Sequence, residues 1–232
     1  MCTVTFLPLP KNNFILTSNR DEQRLRETFP PKKYEEDGVN MYFPKDKTAG
    51  GTWIGTSSKN RLVCVLNGAY KKHIRKGIYK KSRGIIAKEL LKASDFFRCV
   101  KNLDLHGIEP FTMVIVDWNN TLDLFELIWD ENKKYCRKLE NKPTIWSSST
   151  LYADAVKEQR KKWFKNWLNA NDFTLDNILG FHHSEVDDKE QSVLMKRSYV
   201  ETVSITSVKK ENETIGMFYE DIVHSKKTTL TF

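Results

Sequence analysis

The chain has 232 residues and a formal net charge of +8, with 39% hydrophobic and 29% charged residues. That balance allows a substantial buried core and excludes a disordered chain. No apolar run approaches the roughly 18 residues of a spanning helix, and the opening lacks the basic and apolar stretches of a signal peptide, so no membrane span or secretion is expected.

The chain opens on a predicted hairpin. Cys2-Thr3-Val4-Thr5-Phe6-Leu7 and Asn13-Phe14-Ile15-Leu16-Thr17 are rich in β-branched and aromatic residues, and Pro8-Leu9-Pro10-Lys11-Asn12 between them has turn chemistry. A turn centred near Pro10 and Lys11 sets Cys2 opposite Asn19 and brings Ser18-Asn19-Arg20-Asp21-Glu22 beside the amino terminus. A one-residue slip would exchange which side chains share a face. Removal of Met1, favoured by the small residue behind it, leaves a thiol and an α-amino group on Cys2. An amine with a pKa of about 7.7–8.0 can accept the thiol proton near neutrality. A guanidinium nearby favours thiolate, and a carboxylate can orient the amine. Taken singly, Cys2 reads as an ordinary small strand residue and Arg20-Asp21 as a surface ion pair. Their juxtaposition points to a nucleophile.

Further on, Arg61–Leu66 reads as a strand closed by the turn pair Asn67-Gly68. Basic clusters follow at Lys71-Lys72-His73-Ile74-Arg75-Lys76 and Lys80-Lys81-Ser82-Arg83, and again at Arg160-Lys161-Lys162. The first could flank a pocket and receive an anionic substrate; all three also read as solvated surface. With no nucleic-acid motif alongside, no nucleic-acid partner is expected. Helical periodicity covers Lys81 to Asn102, with Ile85, Ile86, Leu90, Leu91, Phe96 and Phe97 on one apolar face. Strands are predicted at 111–117 and 122–129, joined by a hairpin turn, and a further short pair at 134–139 and 144–147. Helices are predicted over 152–170, with Val156, Trp163, Phe164 and Trp167 inward, and over 173–181. Strands at 202–208, 214–220 and 228–232 complete the chain. Many antiparallel strands with two principal helices indicate an α+β fold, helices packed outside a sheet pair, in a single domain spanning 1–232. Cys64, Cys99 and Cys136 have no metal or redox spacing and read as free thiols in a reducing cytoplasm. Adjacent His182-His183, and the isolated His73, His106 and His224, give no metal-ligand pattern, so neither metal nor cofactor is expected.

The opening Met-Cys-Thr-Val-Thr-Phe, the string Ser18-Asn19-Arg20-Asp21-Glu22, the tract Ala49-Gly50-Gly51-Thr52-Trp53-Ile54-Gly55 and Leu66-Asn67-Gly68 together resemble the NRDE family, also called the transport-and-Golgi-organisation 2 family. More distantly the chain is similar to N-terminal-nucleophile hydrolases such as bile-salt hydrolases and penicillin V acylase. The resemblance is dense over residues 1 to 70. It implies a four-layer αββα sandwich of two antiparallel sheets covered by helices. It also implies Cys2 as nucleophile, Arg20 and Asp21 as its supporting pair, and Asn67 as an oxyanion donor. Asn19, Trp53 and Ser148 are expected to contact substrate. The chain departs from the pattern twice. Ser148, in Trp146-Ser147-Ser148-Ser149-Thr150, stands where relatives carry asparagine, and Val203, in Glu201-Thr202-Val203-Ser204, where the acylases carry arginine. The resulting expectation is a hydrolase of a non-peptide carbon–nitrogen bond in a small amide or acyl substrate. The alternative is a cytoplasmic binding or trafficking protein for haem or an acyl-coenzyme A conjugate.

Overall fold

In chain order the strands and helices of the computed structural model are β1 (Thr3–Leu9), β2 (Asn13–Glu22), β3 (Thr28–Glu36), β4 (Val39–Asp46), β5 (Ile54–Ser57), β6 (Arg61–Asn67), α1 (Arg83–Lys92), α2 (Phe96–Asn102), β7 (Phe111–Asp117), β8 (Asp123–Trp129), β9 (Lys134–Leu139), β10 (Thr144–Ser147), α3 (Asp154–Ala170), α4 (Leu175–His182), β11 (Glu201–Glu211), β12 (Thr214–Asp221) and β13 (Lys226–Thr231). The structure describes residues 3–74, 76–186 and 188–232. They form two compact units: one takes the chain up to Arg26 together with Lys142–Phe232, the other Glu27–Asn141.

The first unit is a six-stranded antiparallel sheet in the order β10-β1-β2-β11-β12-β13. Its opening hairpin turns on Lys11 and Asn12, both with positive φ (60° and 58°), closed by Asn13 N–H donating to Pro10 C=O. The register is therefore Thr3 opposite Asn19, one residue away from the expected Cys2–Asn19 pairing, because the turn centre lies further along the chain than Pro10-Lys11. Helices α3 and α4 pack on β10, β2 and β11. There Leu7 and Ile15 meet Phe164, Ile178, Phe181 and Val193, with Trp163 and Trp167 at the margin, as their apolar spacing requires.

The second unit is a seven-stranded antiparallel sheet in sequential order, β3 through β9, with α1 against β4–β6. The single helix expected over 81–102 is two. Ala93 ends α1, and Asp95 caps α2 by accepting from Arg98 N–H, so the chain turns between them. Phe96 and Phe97, expected on one apolar face, both fall in α2, where Phe96 is buried and Phe97 exposed. The pair expected between 134–139 and 144–147 does not form: β9 pairs with β8, whereas β10 pairs with β1 in the other unit's sheet. Each strand finds a longer apolar neighbour than the other could offer.

Candidate active site

Every residue of β2 from Phe14 to Asp21 is buried, and successive side chains alternate between the two faces of its sheet. Asp21 shares the helix-bearing face with Ile15, Thr17 and Asn19. Its Oδ2 accepts from the Tyr152 hydroxyl at 2.8 Å and its Oδ1 from the Thr202 hydroxyl at 2.6 Å. Thr202 reaches this face because the β2–β11 ladder slips between Thr202 and Ser204. Val203 is the extra residue, and the bulge turns Thr202 onto Asp21 while Ser204 stays opposite Arg20. The same Thr202 oxygen accepts from Met195 N–H. Tyr152 is held from its ring as well: the Arg160 guanidinium lies 3.7 Å from the ring centroid and that of Arg197 5.2 Å.

Arg160 is wholly buried, a correction to its expected place in a solvated basic cluster. Position 160 shares the inward face of α3 with Val156 and Phe164, four residues to either side. Its guanidinium donates to the Thr3 hydroxyl at 2.6 Å and to the carbonyls of Gln191 and Ser192. Asp21, Tyr152, Arg160 and Thr3 thus form one chain of contacts linking a buried carboxylate, through an aromatic ring, to the residue next to Cys2. Cys2 itself lies outside the described residues.

Asn19, expected to touch substrate, is fully occupied. Its amide donates to His182 C=O at 3.1 Å and Val193 C=O at 2.8 Å, and its Oδ1 lies 2.6 Å from His182 Nδ1. Since that oxygen only accepts, Nδ1 carries the proton, and Nε2 accepts from the Thr5 hydroxyl at 2.8 Å. Burial pushes the His182 pKa down to about 3, helped by the nearby His183 and Arg160 charges, so the ring is neutral. Asn19 and His182 therefore clamp α4 to β1 and β2.

Arg20 points to the opposite face from Asp21. It is buried there, and its Nη1 donates to Arg26 C=O at 3.3 Å. Ser148 follows the last residue of β10, whose partner is Thr3. It is buried, with its hydroxyl 2.9 Å from that of Thr150, so it lies in the corner where the chain enters β1. Asn67 and Trp53 belong to the second unit. Asn67 ends β6 opposite Phe111, half-buried, before Gly68 turns with φ +82°. Trp53 is buried in the core of that unit and its C=O accepts from Val65 N–H. Of the preceding glycines, Gly50 takes a positive φ of +67° and Gly51 serves packing. A Cβ on Gly51 would come within 2.6 Å of Gly84 backbone at the start of α1, and Thr52 bonds Pro44 and Ile54 carbonyls. Among the described residues no group of three His, Cys, Asp or Glu side chains could hold a metal. None of their helices is long and apolar enough to cross a membrane.

The profile of the Transport and Golgi organisation 2 family matches residues 1–223. The chain belongs to this family. No curated protein sequence matches this member. Solved structures do resemble it. A single-residue variant of conjugated bile acid hydrolase from Clostridium perfringens is 12% identical, with a TM-score of 0.55 over 99% of this chain and 92% of that one. Penicillin V acylase from Agrobacterium tumefaciens is 10% identical, with a TM-score of 0.54 over 99% and 86%. The Caenorhabditis elegans ortholog of N-acylethanolamine-hydrolyzing acid amidase is 10% identical, with a TM-score of 0.56 over 89% and 92%. At these identities the likeness shows the fold: the α+β class expected from the sequence pattern and the αββα sandwich implied by the family resemblance.

Tyr152, Thr202, Arg160 and His182 were not singled out as site residues by the sequence. A tyrosine opening a predicted helix and an arginine in a basic run carry no local signal of burial. The Thr202 contact with Asp21 depends on a bulge that the sequence does not mark.

Proposed function

We propose that the protein is a hydrolase with an N-terminal cysteine nucleophile, acting on a non-peptide amide through a thioester. The observation that carries this reading is the carboxylate of Asp21 on β2, close to where the chain enters β1 and fixed by the hydroxyls of Tyr152 and Thr202. A carboxylate so held can orient an α-amino group without itself rotating. Fold likeness to a bile acid hydrolase, an acylase and an acid amidase supports the same class. In the proposed reaction the Cys2 amine takes the thiol proton and the thiolate attacks the amide carbonyl. Asn67, assigned by the family resemblance, donates to the oxyanion. The ammonium returns its proton to the leaving nitrogen as the C–N bond breaks. Water, deprotonated by the same amine, then cleaves the thioester and restores the thiol. Arg20 favours the thiolate, and Ser148, assigned by the family resemblance, contacts the substrate. A cytoplasmic setting belongs to the proposal, since it keeps Cys64, Cys99 and Cys136 as free thiols.

The test is intact-mass and peptide mass spectrometry after incubation with a panel of amides and thioesters. The expected result is loss of Met1 and an acyl adduct on Cys2. Active protein that retains Met1 would exclude the mechanism. A second reading, binding without turnover of an acyl-coenzyme A conjugate or haem, is favoured by Val203: a buried apolar side chain occupies the position at which the acylases carry arginine. Saturable binding that survives Cys2→Ala, with no adduct on the unmodified protein, would select it.

A further inference from the structure

The segment between β6 and α1 presents large apolar side chains to water beside a group of lysines. Ile78 is 100% exposed, Ile74 88% and Tyr70 53%. This segment is anchored. Gly68 N–H donates to Pro110 C=O, Lys80 N–H to Gly107 C=O, and Lys81 bridges to Ile108. Midway, His73 lies 3.1 Å from Glu109, which also pairs with Arg83 at 3.2 Å. The isoleucines therefore project from a tethered base. Alongside them Lys71, Lys72 and Lys80 are exposed, and Lys80 lies near enough to Asp104 to help hold its carboxyl below the usual range. Lys76 is held by Glu131 at 2.9 Å.

Fully exposed aliphatic side chains are unfavourable in water and carry no charge to recognise a polar partner. Flanked by lysines, they match a surface that is apolar beneath and negatively charged on top. We propose that this loop is a membrane-surface anchor: Ile74 and Ile78 enter the headgroup–acyl boundary of an anionic phospholipid bilayer, while Lys71, Lys72 and Lys80 pair with lipid phosphates and carboxylates. Tyr70 sits at the polar boundary, where an amphipathic ring is favoured. A protein or single-stranded RNA partner would use the charge differently, and RNA would not need the isoleucines.

The test is co-sedimentation of the whole protein with vesicles of phosphatidylcholine alone and of phosphatidylcholine with about one-third phosphatidylserine. Binding to the anionic vesicles is expected, weakening with added salt. The double variant Ile74→Ser/Ile78→Ser should lower the partition coefficient about tenfold or more, the scale for losing two buried aliphatic side chains. Lys71→Glu/Lys72→Glu should abolish the preference for phosphatidylserine. Because all four side chains are exposed, an unchanged melting temperature is expected in both variants. No binding to anionic vesicles would overturn the proposal. So would binding indifferent to the isoleucines, or binding competed by single-stranded RNA and unaffected by Ile74→Ser/Ile78→Ser.

Discussion

Arg20 and Asp21 are neighbours in sequence, and β2 sends them to opposite faces of one sheet, so their effects should separate. Asp21 is wired to Tyr152 and Thr202, and through the Tyr152 ring to Arg160. Arg20 shares its face with Ser204. If Arg20 stabilises the Cys2 thiolate, Arg20→Ala should move the pH dependence of Cys2 alkylation upward by about one to three units, the range for a close opposite charge. Cys99 supplies an internal reference, since burial holds its thiol above the ordinary value. An unchanged iodoacetamide titration in a folded variant would return Arg20 to a structural role. Tyr152→Phe tests the other face. It keeps the ring beneath Arg160 and removes one donor from a buried carboxylate, a loss of about 1–3 kcal/mol in stability. Turnover should fall as well, as it should in Asp21→Asn, because the carboxylate loses its fixed direction. A stability loss with kcat unaltered would mean that the network only supports the fold.

At the scale of elements, what could be read from the sequence depended on where each element's determinants lie. β7, β9 and β10 match their predicted bounds because turn residues bracket short β-branched or aromatic runs. β3 carries Pro30-Pro31, which argues against a strand; it exists because it is the edge of its sheet and its ladder slips between Phe29 and Lys32. The partners of β9 and β10 are set by which long strand has an open edge, which local pattern does not encode. The contacts of Asp21 span 131 and 181 residues, so the carboxylate was legible in the sequence and its supports were not. The Gly50-Gly51-Thr52-Trp53 tract carried the family resemblance, and the structure gives Gly51 a packing reason. Gly51→Ala should force α1 away from the β4–β5 connection, since its Cβ would meet backbone atoms of Gly84 and Ile85 at 2.6–2.9 Å. A destabilisation of about 1–3 kcal/mol is expected by urea titration. A neutral result would show that α1 shifts freely.

For the whole molecule, the first unit is assembled from both ends of the sequence, and a buried neutral histidine joins its parts. His182 on α4 bonds Thr5 of β1 and Asn19 of β2, spanning 177 and 163 residues. Its folded pKa is about 3, against about 6.5 when unfolded. Between those values the unfolded chain binds the extra proton, so stability rises with pH across the window. The contribution is complete above about pH 6.5 and is lost as pH falls towards 3, at up to about 1.4 kcal/mol per pH unit. Carboxylates also titrate below about pH 5, so the informative quantity is the difference between wild type and His182→Gln. Glutamine keeps a donor and an acceptor but cannot take up the proton. The variant should be less stable at pH 7.5, where it has lost the fitted imidazole, and the gap should close as the solution is acidified. Urea unfolding at half-unit intervals from pH 7.5 to 4.5 measures it. Parallel stability curves would show that His182 is protonated without opening the clamp, and that acid enters the first unit elsewhere.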